Sequence, residues 1–201
     1  KHFPKNSKGL LAINRLIADS PVQSSWVQEQ SKLEFEAFNR HSLISMWGSI
    51  ESCVENLITA ILKKDKISFT KAIHLGVKWG ISWEDMVEND FRKLYRRLER
   101  FSSSSFVYET FYNLLDIFDL AFHLEREKVE TLEEINSVRN CLLHRSGVID
   151  QAAVDKAPAL APLLNKRIII TKVMYLKYYD IISEYAVSLV RAVTESSYVK
   201  A

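Results

Sequence analysis

Helix-breaking residues are scarce in this chain, which has only five glycines and four prolines among 201 residues. Between them, long stretches carry apolar residues at three- and four-residue spacing, the repeat of an amphipathic α-helix. Hydrophobic residues make up 47% of the chain, which suffices for a sizeable core. The sequence therefore predicts an all-α protein. Its simplest organisation is a single-domain helical bundle over residues 21–201, preceded by an N-terminal extension, 1–20, with a short helix from Asn6 to Ile17.

The boundaries of the other helices follow from caps and turn residues. Ser82 followed by Asp85, and Thr131 followed by Glu134, resemble capping boxes, and Gly147 is a typical residue just after a helix. Residues 102–105 form a serine linker that is too short to separate domains. The segment 148–162 is predicted to be irregular, with one short turn, and 167–171 to be briefly extended. The predicted helices are Ser20–Asn39, His41–Leu62, Ser68–Lys78, Ser82–Arg100, Phe106–Leu124, Thr131–Gly147 and a last one from Thr171.

The net charge of +2 requires no nucleic-acid partner, so any RNA-binding surface has to be local. One segment has that character, because its arginines repeat every four residues along a predicted helix. We expect it to follow an RNA backbone, and the alternative is a solvated helix face balanced by Glu99. The residues of this basic face are Arg92, Lys93, Arg96, Arg97 and Arg100.

Several classes of protein are disfavoured by the remaining composition. The two cysteines, Cys53 and Cys141, both fall in predicted helices, which argues against a disulfide framework and for a reducing compartment. The chain shows no N-terminal signal pattern, and its apolar runs are too short to span a bilayer. Histidines are scattered and no glycine-rich phosphate loop occurs. We therefore expect a cytoplasmic protein with no metal, no cofactor and no membrane partner.

The predicted helix that ends at Gly147 carries an arginine on its apolar side. At about 100° per residue, Arg139 projects within the apolar arc of that helix. Such a charge is costly unless it is compensated, although the stem of an arginine often packs while its head reaches water. The arc comprises Leu132, Ile135, Val138, Leu142 and Leu143.

A complementary anomaly occurs in the helix His41–Leu62. Glu51 lies at the edge of the apolar stripe of that helix, beside Trp47 and Ile58. We predict that Glu51 and Arg139 meet between the two packed helices and hold the guanidinium at a fixed angle. Glu55 is the alternative partner, and the simpler alternative is that Glu51 is a solvated boundary residue.

Arg139, Asn140 and His144 together offer the groups that metal-free cleavage of RNA requires. Attack by a 2′-hydroxyl needs a proton taken, a proton given and negative charge stabilised on phosphate oxygens. Histidine titrates near neutrality, arginine presents a planar charged fork, and asparagine orients either one. Because one helix supplies one histidine, a two-fold homodimer would provide both acid and base. A Cys141–His144 nucleophile is a weaker alternative.

Arg139-Asn140-x-x-x-His144 near the end of a helix resembles the signature of the HEPN superfamily. Residues 145–150, including Arg145, and the pattern Ile50-Glu51-Ser52-Cys53-Val54 resemble that superfamily as well, and the likeness extends over about 43–193. The resemblance implies an all-helical domain with Arg139, Asn140 and His144 as the functional set, in a cleft formed by dimerisation. Many members are metal-independent endoribonucleases, some of them toxins or antiviral effectors, and others only bind.

The sequence thus predicts an endoribonuclease that leaves 2′,3′-cyclic phosphate and 5′-hydroxyl ends and spares DNA, which lacks the attacking hydroxyl. Arg145 and the basic face would bind the RNA, and Glu51 would brace Arg139. An inhibitory, antitoxin-like protein partner is compatible with such an activity. The alternatives are a non-catalytic HEPN-like module that binds RNA or a nucleotide, and a helical protein-interaction subunit.

Overall fold

The structure is a computed structural model that describes residues 20–21, 24–29, 31–32, 35–75 and 79–200. Its elements from residue 36 onward are helical, which confirms the all-α prediction, and the described residues include no strand beyond two isolated bridges. The extension 1–20, with its predicted helix Asn6–Ile17, lies outside the described residues except for Ser20. The helices are α1 (Glu36–Lys64), α2 (Lys66–His74), α3 (Glu88–Phe101), α4 (Val107–Asp116), α5 (Arg126–His144), α6 (Gln151–Lys156), a 3₁₀ helix (Pro158–Leu163), α7 (Lys172–Glu195) and α8 (Ser197–Lys200).

Helix α1 is the centre of the bundle, because it packs against α2, α3, α5 and α7. Its first half contributes Leu43, Trp47 and Ile50 to a core that it shares with α5 and α7. Its second half contributes Val54 and Ile58 to a second core, which it shares with α3 and α4. One helix therefore joins two apolar clusters, and the helix that carries the Arg-Asn-x-x-x-His motif packs on the first of them.

The earliest helix boundary differs from the prediction. Residues 20–21, 24–29 and 31–32 are helical, but Phe35 takes a left-handed conformation with φ of 58°. The amide of Asn39 donates to the carbonyl of Phe35, so α1 starts at Glu36 and not at His41. The next helix, α2, likewise starts two residues early, because Asp65 caps it by accepting from the amides of Ile67 and Ser68.

Both predicted capping boxes are wrong. The side chains of Ser82 and Asp85 bond to each other within a turn, and α3 begins only at Glu88. Thr131 lies inside α5, which begins at Arg126, and its hydroxyl donates to the carbonyl of Glu127. Ser82 and Asp85 bond to each other, and Glu134 accepts from Tyr178 of α7, so neither pair caps the amides at the start of a helix.

Two further segments are shorter or more ordered than predicted. The helix expected to run from Phe106 to Leu124 ends at Asp116, where the amide of Leu120 bonds back to Leu115 and Asp119 adopts φ of 56°. Aspartate tolerates this left-handed conformation better than most residues. The segment 148–162, predicted to be irregular, contains α6 and most of the 3₁₀ helix.

The chain reverses sharply after α5 and thereby forms the walls of the candidate site. Ser146 and Gly147 both have positive φ, and the amide of Gly147 bonds to the carbonyl of Cys141. Val148 then pairs antiparallel with Arg167, and α6 returns against α5. The last long helix, α7, is capped by Thr171 as predicted, since its hydroxyl accepts from the amide of Met174.

Candidate active site

Arg139 is held by two partners at the interface of α5 and α1. Its side chain is only 22% exposed, and its Nη2 lies 3.1 Å from Oε2 of Glu51. The other carboxylate oxygen, Oε1, accepts a hydrogen bond of 2.9 Å from the indole Nε1 of Trp47, which is fully buried. The predicted meeting of Glu51 and Arg139 is thus confirmed, and Glu55 is not the ion-pair partner. The hydrogen bond from Trp47 holds the carboxylate of Glu51 in place, and the apolar stripe of α1 did not predict this contact.

Asn140 connects the guanidinium to the face that carries His144. Its Oδ1 accepts from Nη1 of Arg139 at 2.9 Å, and its Nδ2 makes a long contact of 3.4 Å with Oδ1 of Asn136. His144 lies one turn after Asn140 and is exposed. In an ideal helix, residues five apart diverge by about 140°, so the guanidinium and the imidazole do not share a face. Asn140 lies between these two residues on the helix. Its side chain accepts a hydrogen bond from Arg139 and shares a face of α5 with His144.

A pocket of about 350 Å³ opens beside His144 between α5 and α6. Asn140 and His144 line it, and Arg139, which is hydrogen-bonded to Asn140, does not. Arg145 stands at the rim, 3.4 Å from Oδ2 of Asp150, and its side chain is 63% exposed. The pocket is lined by Ser137, Asn140, Cys141, His144, Arg145, Asp150, Ala152, Ala153 and Lys156.

Sequence reasoning did not single out three polar residues of this pocket, Ser137, Asp150 and Lys156. Ser137 is one turn before Asn140 and Cys141 on α5, so helical spacing would have pointed to it. Asp150 and Lys156 could not be found in this way, because they come from α6, whose course depends on the turn at Gly147. Asp150 caps α6 by accepting from the amide of Ala153 at 2.9 Å, so its carboxylate has a structural role.

The Cys141 thiol is unsuited to act as a nucleophile. Cys141 is buried, and burial raises the pKa of its thiol above the usual value, which disfavours the reactive thiolate. This argues against the Cys141–His144 alternative. The apolar arc of α5 also needs one correction: Leu132, Ile135 and Val138 are buried, but Leu143 is 45% exposed.

The five cations of the basic face on α3 are all exposed, and none of them lines the pocket at His144. Lys93 pairs with Asp90, and the guanidinium of Arg97 lies 5.0 Å from the centre of the Trp79 ring. The structure therefore links Glu51, Arg139 and Asn140 by hydrogen bonds and places Asn140 and His144 in one pocket, and none of the five cations of the basic face lines that pocket.

The end of α3 lies beside the acidic middle of α1. Burial raises the pKa of Glu99, and the charges of Glu55 and Glu51 raise it further. The same charges, together with burial, raise the pKa of the Tyr95 hydroxyl, which contacts Glu99. The carboxylates of Glu55 and Glu51 are therefore near enough to α3 to oppose the ionisation of Glu99.

A larger cleft of about 890 Å³ lies on the N-terminal half of α5, away from the motif. Carboxylates outnumber cations along its walls, which disfavours RNA there. Burial raises the pKa of Glu133, whose carboxylate nonetheless accepts from the amides of Val107 and Tyr108 at the start of α4. The ionisable side chains in the cleft are Glu109, Glu127, Glu130, Glu133, Glu134, Arg126, Lys156 and Lys177.

Among the described residues, no group of three or more His, Cys, Asp or Glu side chains is placed to bind a metal ion. None of the helices that the structure describes has the length and apolar character needed to span a lipid bilayer. No protein family, no curated protein and no solved structure matches this chain.

Proposed function

We propose that this chain is a metal-independent endoribonuclease of the HEPN type, with Arg139, Asn140 and His144 as its catalytic set. The observation that carries the proposal is the hydrogen-bonded series from Glu51 through Arg139 to Asn140, which ends one turn from an exposed histidine. A fixed guanidinium and an exposed imidazole, linked through Asn140, supply the groups needed for a phosphodiester that is attacked by its own 2′-hydroxyl.

Each of these side chains has a defined role in the reaction. His144 removes the proton of the 2′-hydroxyl, whose oxygen bonds to phosphorus. The bond from phosphorus to the 5′-oxygen breaks, and a protonated imidazole gives that oxygen its proton. Arg139 stabilises the charge that develops on the phosphate oxygens, and Asn140 orients the guanidinium. Glu51 is a positioning residue, because it touches Arg139 and not the substrate.

The reaction needs both a base and an acid, and we propose that a second copy of the chain supplies the second His144. Leu143 and Val148 flank the motif and are 45% and 39% exposed, so both are accessible to a second copy of the chain. A two-fold dimer through this face would bury both residues and bring the two imidazoles to one cleft. Light scattering should then show a dimer for the wild type, and Leu143→Asp should weaken both dimerisation and cleavage.

The test of the proposed function is incubation of the purified protein with total RNA in EDTA, followed by mapping of the ends. We expect 2′,3′-cyclic phosphate ends from the wild type and none from His144→Ala or Arg139→Ala. His74→Ala is the matched control, because His74 is exposed on α2, which is not part of the site. Cleavage that survives His144→Ala, or that disappears in EDTA, would contradict the proposal.

A second candidate, a non-catalytic module that binds RNA or a nucleotide, is favoured by one observation. Arg139 and His144 do not share a face of α5, so the guanidinium can hold a phosphate without an imidazole beside it. RNA binding without cleavage would support this module, and the absence of both would point to a protein-interaction subunit.

We further propose that the nuclease acts in the cytoplasm as a toxin or antiviral effector that an inhibitory protein restrains. Growth arrest on expression of the wild type, but not of His144→Ala, would support that role.

A further inference from the structure

The pocket beside His144 contains a buried polar group with no partner. Ser137 is 3% exposed and lines the pocket, and its Oγ has no hydrogen-bond partner in the structure. A serine inside a helix usually satisfies its hydroxyl on the carbonyl four residues earlier, or in water. An unsatisfied buried hydroxyl costs stability, so its presence in the wall of a cavity suggests that a ligand satisfies it.

Two polar groups of this pocket that remain available, an amide hydrogen of Asn140 and the ammonium of Lys156, can only donate, and the hydroxyl of Ser137 can donate as well. The carboxylate of Asp150 is engaged with the amide of Ala153 and faces Arg145. Asn140 uses its oxygen for Arg139 and has one amide hydrogen that no described residue accepts. Lys156 adds an exposed ammonium group. A ligand that fits the pocket therefore presents acceptors to Ser137, Asn140 and Lys156.

The rest of the pocket suits an aromatic ring next to a phosphate. Ala152 and Ala153 of α6, and Cys141 of α5, form its apolar part. His144 and Arg145 stand at the same opening, where the proposed reaction requires the phosphodiester. A volume of about 350 Å³ lies within the range of pockets that hold small ligands.

We propose that this pocket binds the nucleobase next to the cleaved phosphate, and that it selects guanine or uracil over adenine through Ser137 and Lys156. Guanine presents O6 and N7, and uracil presents O4, as acceptors. Adenine would instead place its amino donor beside the Asn140 amide and the Lys156 ammonium, which can only donate. This inference rests on the proposed function for the placement of the phosphate, but the base preference is measurable without cleavage.

The test is calorimetric titration of the wild-type chain with guanosine, uridine and adenosine 3′-monophosphates, which carry no phosphodiester to cut. We expect the guanosine and uridine nucleotides to bind about tenfold more tightly than the adenosine nucleotide, the equivalent of one or two hydrogen bonds. Ser137→Ala and Lys156→Met should each reduce that ratio by about fivefold.

Two controls separate recognition from folding. Lys64→Met removes the same charge from the exposed end of α1 and should leave the ratio unchanged. Ser137→Ala should melt at the same temperature as the wild type or higher, because it removes an unsatisfied buried hydroxyl. A purely structural serine would instead lower the melting temperature.

The outcomes of this titration and of the RNA assay are independent. Nucleotide binding with the predicted preference, but no RNA cleavage, would support the base pocket and refute the nuclease. Equal binding of the three nucleotides, no binding, or a preference that Ser137→Ala and Lys156→Met both leave intact would overturn the base pocket even if RNA is cut.

Discussion

Replacement of Glu51 by alanine should destabilise the fold, because the carboxylate satisfies two donors at once. Its Oε1 accepts from the indole of Trp47, which is fully buried, and a buried donor left without an acceptor costs about 1–3 kcal/mol. Its Oε2 pairs with Arg139, but the Glu51 side chain is 40% exposed, so solvent screens this pair to about 0–1 kcal/mol. We therefore expect Glu51→Ala to lower the free energy of unfolding by about 1–4 kcal/mol.

Urea denaturation followed by tryptophan fluorescence measures this loss, and two variants divide it. Glu51→Gln keeps an oxygen for the indole and should cost only the charge contribution, about 0–1 kcal/mol. Glu55→Ala, one turn further along α1, removes a carboxylate that has no hydrogen bond or ion pair in the described part of the chain, and should stay within about 0.5 kcal/mol of the wild type. Equal losses for Glu51→Ala and Glu55→Ala would refute the bracing role of Glu51.

Three further outcomes follow from other parts of the structure. Replacement of Arg92 and Arg96 by glutamine should flatten the dependence of log K on log salt by about 1.4 for single-stranded RNA, and an unchanged slope would exclude phosphate contacts there. Because burial and nearby carboxylates raise the pKa of Glu99, its ionisation destabilises the fold as pH rises past 4.5. Glu99→Gln should then match the wild type in denaturation at pH 4 and exceed it at pH 7. Ile135→Ala should cost about 2–5 kcal/mol, whereas Leu143→Ala, on the exposed side of α5, should cost far less by the same measurement.

The helical architecture and the central contact of the site could be predicted because both depend on patterns that are local in sequence. Apolar spacing identified α1, α5 and α7. Glu51 and Arg139 were each conspicuous as a charge within an apolar stripe. Two opposite charges on the packed faces of two helices are stable when they meet, so each anomaly predicted the other.

The helix starts were harder to predict, because local capping patterns ignore partners far along the chain. Glu134 was assigned to a capping box, but its carboxylate accepts from Tyr178 and Lys177 of α7. The carboxylate of Glu133 likewise accepts hydrogen bonds from the amides of Val107 and Tyr108 at the start of α4. A local sequence pattern shows only the donors next to a carboxylate in the chain. It cannot show a donor that lies more than 20 residues away in sequence and reaches the carboxylate only when the helices pack.

The sequence by itself therefore determined the long helices α1, α5 and α7, the sharp stop near Gly147 and the pairing of Glu51 with Arg139, since each follows from periodicity, backbone preference or charge. Only the tertiary structure decided that Leu143 faces solvent and that α6 returns to place Asp150 and Lys156 beside His144. It also decided that Ser137 keeps a buried hydroxyl without a partner. These features depend on how separate helices pack, because packing places side chains distant in sequence around one pocket.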